Sequence, residues 1–153
     1  MKKVSGRGTD CSIQQTLDVI GDRWLLLILR NLFRGARRFS QLENDLGIAK
    51  NLLASRLAKL VEAEIIVRVP YQERPLRHEY LLTQKGRDLS PSLVAMMRWG
   101  DRWCNEGEAP TLLVHSECGT PLDQVTRCPR CNDALDPAQI RSRPGPGSAK
   151  VTQ

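Results

Sequence analysis

The chain has 153 residues, with 23 Lys+Arg against 17 Asp+Glu for a net charge of +6, and it is 41% hydrophobic and 26% charged. That is a globular balance rather than a disordered one, and the longest apolar run, Trp24 to Leu29, falls far short of the roughly 20 residues that span a bilayer. The lysines at the amino terminus have no apolar segment behind them, so no secretory signal is expected, and the chain is read as a cytoplasmic domain with a short appendage.

Helix punctuation is legible as far as about residue 106. Ser12 with Gln15 reads as a capping box opening an amphipathic stretch that runs to Gly21. Asp22 is a candidate cap for a second helix, in which Leu25, Ile28, Leu29 and Leu32 recur at helical spacing before Gly35. Ser40 with Glu43 reads as another capping box, for a short helix that stops at Gly47. A fourth helix is predicted from Lys50 to Ala63, with Leu53, Leu57, Leu60 and Val61 facing inward. The β-branched run Ile65 to Tyr71 and the segment His78 to Thr83 then flank a polar turn containing Pro75, which is a hairpin pattern. Helical spacing resumes at Thr83 and restarts at Ser90-Pro91, where proline suits a first turn. Leu89, Leu93, Met96, Gly100 and Trp103 form a heptad-like stripe that Gly107 ends. Thr111 to Val114 reads as a strand before two cysteine-bearing turns, and residues 141–153 are rich in Pro, Gly and Ser. No internal repeat is visible.

The predicted fold is mainly α with a small β-hairpin (α+β): a winged helix-turn-helix with a zinc-ribbon-like tail. The expected divisions are a flexible arm at 1–10, the winged domain at 11–107, the tail module at 108–140 and a disordered end at 141–153. The Gly47-Ile48-Ala49 turn has the short, glycine-containing character that lets the following helix enter a major groove. On that helix Asn51, Ser55, Ala58 and Lys59 face outward with Arg56 on the flank; small and polar side chains there suit base edges. Arg74, Arg77 and His78 sit at or beside the hairpin tip, where a wing reaches phosphates or a minor groove. Residues 34–87 hold 11 Lys+Arg against 6 acids, which is +5 of the total +6. The candidate DNA contacts are Arg38, Ser40, Lys50, Asn51, Ser55, Arg56, Lys59, Arg74, Arg77 and His78.

Leu17-Asp18-Val19-Ile20-Gly21-Asp22-Arg23-Trp24, Arg38-Phe39-Ser40-Gln41-Leu42, Leu57-Ala58-Lys59-Leu60, Arg77-His78-Glu79-Tyr80-Leu81-Leu82-Thr83 and Trp99-Gly100 resemble the HxlR family of bacterial transcriptional regulators, in order and at the family's spacing from Cys11 to about residue 137. The resemblance implies a homodimer that binds double-stranded DNA at a pseudo-palindromic operator, with dimer contacts from the first and last helices and a recognition helix at 50–63. It also implies an effector, either a small molecule or an oxidant or electrophile sensed at Cys11, since the family often carries a responsive thiol there; a small residue packed at a dimer interface is the other reading of this position. A thiol at a helix amino terminus has its thiolate favoured by the dipole, and Lys2, Lys3 and Arg7 are close in sequence. Two departures stand out. Ala49 replaces a usual serine cap, and Glu64 stands where glycine commonly ends the recognition helix. A MarR-like regulator shares the fold but typically adds longer dimerisation helices.

The chain has five cysteines, and in a reducing cytosol metal ligation, redox sensing or burial is expected before a disulfide framework. His115, Cys118, Cys128 and Cys131 supply one imidazole and three thiols in two knuckles of two-residue spacing, a donor set for one structural zinc. Gly119 and Asn132 follow the knuckles, where a tight turn needs tolerance of positive φ. A metal-free hairpin and a Cys128–Cys131 redox pair are the alternatives, and a zinc-ribbon adaptor that binds protein is a rival of another class. With only two histidines, His78 and His115, no nucleophile–base set suggests an enzyme.

Overall fold

Helix α1 spans Ser12–Ile20 and α2 spans Arg23–Phe33. Asp22 caps α2 as its sequence position suggests, its Oδ1 accepting from the Trp24 N–H at 2.8 Å. Because α1 begins at Ser12, Cys11 rather than Ser12 stands just outside its first turn. These coordinates belong to a computed structural model that describes residues 11–146. The arm at 1–10, with Lys2, Lys3 and Arg7, and the end of the tail at 147–153 lie outside the described residues.

Helix α3 covers Phe39–Leu46 and α4 covers Lys50–Glu62, joined by a turn in which Gly47 has φ +59°. The expected Ser40–Glu43 capping box does not form. The helix starts earlier, with Arg38 at the cap position, and Gln41 Oε1 accepts from the Arg37 and Arg38 N–H groups at 3.0 and 2.9 Å. Phe39, packed against the core, draws the first turn inward and leaves Ser40 exposed inside the helix.

Leu25, Ile28, Leu29, Leu42, Leu53, Leu57, Leu60, Ile65 and Ile66 are almost wholly buried, and Ile48 of the interhelical turn joins them. Each such side chain contributes about 1.5–3 kcal/mol relative to exposure. Val61, expected inward, is exposed, because it lies one residue past the buried stripe. One polar side chain is buried in this unit. Asn31 Oδ1 accepts from Arg30 Nε and Nη2 at 3.1 and 3.0 Å, and its Nδ2 reaches Asp45 Oδ2 at 3.4 Å.

Strands β1 (Ile66–Glu73) and β2 (Leu76–Leu82) pair antiparallel from Ile66↔Leu82 to Glu73↔Leu76, with an irregularity between Pro70 and Gln72. The hairpin is therefore longer than its sequence suggests. Arg77 and His78 lie within β2, and only Arg74 and Pro75 remain as the tip. A bulge tolerates proline because the ladder needs no N–H there.

The short helix α5, Gln84–Arg87, starts on Thr83, whose Oγ1 accepts from the Gly86 N–H at 3.1 Å and donates to the carbonyls of Glu64 and Ile65. Helix α6, Ser90–Cys104, has Pro91 in its first turn. It ends three residues before Gly107, which takes φ +87°. No described helix is long and apolar enough to cross a membrane.

Residues 16–111 form one compact unit, and the described residues 112–146 belong to a second that includes 11–15. Arg34 Nη2 donates to Thr111 Oγ1 at 2.9 Å and holds the segment after α6 to the larger unit, which runs to Thr111. In the smaller unit the expected strand at 111–114 reduces to a single bridge, Val114↔Pro121, with a second at Arg127↔Ala134 and a 3-10 turn at Pro137–Gln139.

Candidate nucleic-acid interface and the cysteine-bearing tail

Burying Leu53, Leu57 and Leu60 fixes the rotation of α4 and so decides which residues it presents to solvent. Asn51, Ser55, Ala58 and Lys59 are exposed, as the helical period requires. Lys50 is also exposed, its Nζ 3.9 Å from Glu43 Oε1. Arg56 behaves differently. Its Nη2 and Nε lie 2.8 and 3.1 Å from Asp22 Oδ2, half-buried between α4 and the start of α2. The Arg56 hydrogen bond, with help from the Trp24 and Leu25 N–H groups and the Arg56 charge, holds the Asp22 carboxyl below its ordinary range against the opposing effect of burial. Arg56 is thus engaged in positioning α4.

The amino end of α3 is stitched to the wing. The Tyr80 N–H donates to the Arg37 carbonyl at 2.8 Å, and Arg38 bridges to Glu79 across the chain. Arg38 Nε lies 3.2 Å from Glu79 Oε1, and its guanidinium sits 4.5 Å from the centre of the Tyr71 ring. Ser40, Arg68, Arg77 and His78 line the same groove. His78 Nδ1 is 2.9 Å from Arg68 Nη2. Arg74 and Arg77 are exposed near the tip. Arg68 comes to this surface through its pairing with Tyr80, and Tyr71 through the irregularity between Pro70 and Gln72, neither of which the residue pattern reveals.

Cys11 is exposed immediately before α1, and Cys104 is exposed at the end of α6. The apolar side chains of Ile13 and Leu17 on α1, and of Met96, Trp99 and Trp103 on α6, are between 53% and 70% exposed.

The two knuckles of the tail repeat the same hydrogen bonds at a spacing of thirteen residues. His115 N–H donates to the Thr120 carbonyl at 2.9 Å, as Cys128 N–H does to Asp133 at 3.0 Å. Gly119 N–H donates to His115 and Asn132 N–H to Cys128, at 2.8 and 2.9 Å. Leu122 N–H reaches Leu113, and Leu135 N–H reaches Thr126, at 2.8 and 2.9 Å. Gly119 and Asn132 both take positive φ, +69° and +59°. Cys118 Sγ lies 3.1 Å from His115 Nδ1 and 3.2 Å from Thr120 Oγ1. Hydrogen bonds from the Thr120 hydroxyl and N–H, then from His115, bring the Cys118 thiol down to about 7. Cys128 is also lowered, first by the N–H of Cys131, then by that of Arg130 and by the Cys131 thiol. Each knuckle therefore forms, but the expected convergence of all four donors does not. Among the described residues no three His, Cys, Asp or Glu side chains close on a common metal position.

Residues 19–108 match the HxlR-like helix-turn-helix family. An HTH-type transcriptional regulator of Mycobacterium tuberculosis is 44% identical over 137 residues, covering 89% of this chain and 87% of that protein. Among solved structures, the transcription factor PA1607 is similar at a TM-score of 0.80 and 39% identity, over 88% of this chain and 95% of its own. The redox regulator HypR in its reduced form is similar at a TM-score of 0.57 and 31% identity, over 63% of this chain and 99% of its own.

Proposed function

Since the chain belongs to the HxlR-like helix-turn-helix family of transcriptional regulators, we propose that it acts as a homodimer reading a pseudo-palindromic operator in double-stranded DNA. The observation that carries this is the presentation of α4. Its buried leucines turn Asn51, Ser55, Ala58 and Lys59 outward, beside a wing whose Arg74 and Arg77 project from the same positively charged stretch. Short polar side chains reach base edges in the major groove, while wing arginines neutralise phosphates. Arg38, Ser40, Lys50 and His78 complete the surface, and Arg56 supports it from behind. The apolar residues exposed on α1 and α6 are the faces a partner protomer would cover. This activity belongs in the cytoplasm, with the DNA.

HypR's description as a redox regulator and the exposed Cys11 at the start of α1 together favour a thiol-responsive regulator. An electrophile would form a bond to Cys11 Sγ, with its proton passing to solvent, at the edge of a helix assigned to the dimer.

A binding titration tests both readings. It uses a duplex selected from a random pool and a scrambled control, at several salt concentrations. The parent should prefer the selected duplex with a steep salt slope. Asn51→Ala should relax preference at one base position by about 1–3 kcal/mol, whereas Arg74→Ala should weaken both duplexes and lower the slope by about one unit. A thiol-reactive electrophile should weaken binding by the parent and not by Cys11→Ser. Equal affinity for both duplexes would overturn specific readout, and a shallow salt slope would favour a protein-binding adaptor. An undiminished response in Cys11→Ser would remove that thiol from the account.

A further inference from the structure

Among the described residues 112–146 none is buried, and only Leu113, Cys128 and Leu135 are half-buried. A segment this short with no apolar core needs another source of order. Its hydrogen bonds nevertheless build the same loop twice, placing His115 and Cys128 at the first position, and Cys118 and Cys131 at the fourth. Two loops with the same hydrogen bonds, each offering two donors from matching positions, supply between them a set of four.

We propose that His115, Cys118, Cys128 and Cys131 bind one Zn2+ in tetrahedral geometry, and that this ion supplies the tail with the core it lacks. The donor chemistry suits zinc rather than magnesium or calcium, because thiolates are soft and imidazole is a common zinc ligand, whereas the other two ions take oxygen donors. The pairing within one loop is already close to what is needed. His115 Nδ1 and Cys118 Sγ are 3.1 Å apart, against about 3.6 Å along the edge of a tetrahedron with ordinary Zn–N and Zn–S bonds. In the other loop the N–H groups of Arg130 and Cys131 are directed at Cys128 Sγ, the kind of support that orients a metal ligand. No three of these donors close on one point in the structure, so the ion draws one loop towards the other. On binding, Cys118, Cys128 and Cys131 each release a proton to solvent, and the imidazole donates a lone pair. Three Zn–S bonds and one Zn–N bond form, leaving a centre of net charge −1 with no change of oxidation state. All four positions come from protein, so the ion is structural.

The full-length protein, produced with zinc and purified without chelator, should carry about one zinc per chain by elemental analysis. Substituted with Co2+, it should show the intense visible and sulfur-to-metal bands of a tetrahedral thiolate site. A thiol reagent should titrate two cysteines quickly in the loaded protein, Cys11 and Cys104, and all five after chelation. Cys118→Ala and Cys128→Ala should each lose the metal, whereas His115→Cys should keep it with a shifted cobalt spectrum. Zinc near zero, octahedral cobalt bands, a Cys128–Cys131 disulfide in the purified protein, or full metal content in the alanine variants would each overturn the proposal. Cobalt spectrum and thiol count are read on the parent, so a variant that fails to fold does not decide the matter. Neither readout involves DNA.

Discussion

Glu64 adopts φ +58° immediately after α4. The Ile65 N–H reaches the Leu60 carbonyl and the Glu64 N–H that of Val61, at 3.0 and 2.9 Å, which completes the paired hydrogen bonds that close a helix on a left-handed residue. Glycine would take this conformation freely, whereas a side chain pays roughly 1–2 kcal/mol. Glu64→Gly should therefore stabilise the protein by about 1 kcal/mol in urea unfolding, net of the entropy glycine adds to the unfolded chain. A loss of stability would mean that the Glu64 side chain is making a contact worth more than the strain. At Asp22 one carboxylate serves two ends, capping α2 with Oδ1 and holding Arg56 with Oδ2. Its folded pKa is depressed, so its charged form adds stability above the unfolded value of about 3.9, and that increment disappears as pH falls through the lower folded value. Asn caps as well as Asp, so Asp22→Asn isolates the ion pair. The variant should be less stable than the parent at pH 7 by up to about 1 kcal/mol, with the two curves converging under acid conditions. A gap independent of pH would rule out the charge as its source. Asp22 was legible as a cap from its place before the helix, whereas Glu64 stood out only through the resemblance to a family that commonly has glycine there. The sequence did not show that Arg56 turns back to Asp22, since a helical period gives the direction of a side chain and not its partner.

Elements were most legible where burial sets a period. The leucines of α2 and α4 announced both helices, and the β-branched run announced β1. The end of the wing was less clear because polar residues 72–77 read as a loop, yet cross-strand pairing carries β1 to Glu73 and restarts β2 at Leu76. In the tail the two knuckles and the positive φ after each were legible, but the matching hydrogen bonds at a spacing of thirteen residues were not, since His, Gly and Thr in one loop become Cys, Asn and Asp in the other. Helix α5 shows how a tertiary contact overrides local preference. Gly86 is buried in it, and a Cβ there would run into the Ile65 carbonyl oxygen and crowd Leu82 Cδ2 at 3.1 Å. Helix propensity favours alanine by about 1 kcal/mol, but the obstacle is backbone and has little room to yield. Gly86→Ala should thus destabilise by about 1–3 kcal/mol, seen as a lowered Tm. An unchanged or raised Tm would show that α5 can move away from Ile65 at little cost.

For the whole molecule, the stripe on α6 is amphipathic in sequence yet contains no buried residue in the isolated chain. Leu89 and Leu93 pack against the core, while Met96, Trp99 and Trp103 remain mostly exposed. Exposed tryptophans at helical spacing fit a subunit interface better than a solvated face. Sedimentation should find the parent dimeric at micromolar concentration and Trp99→Ala/Trp103→Ala shifted towards monomer with its helical content retained. A parent that stays monomeric at that concentration would remove the two-fold operator from the functional account.

Among the described residues, the twelve buried hydrophobic side chains lie between Ile20 and Ile66, within less than a third of the chain. The contacts that drive collapse thus span short loops, which favours rapid closure. During synthesis from the amino terminus, every one of these side chains has been made before β2, α6 and the tail exist. The frame that aims α4 thus takes none of its buried hydrophobic side chains from β2 onwards, and the later elements add partly buried contacts such as Tyr80, Leu82, Leu89 and Leu93 to its outside.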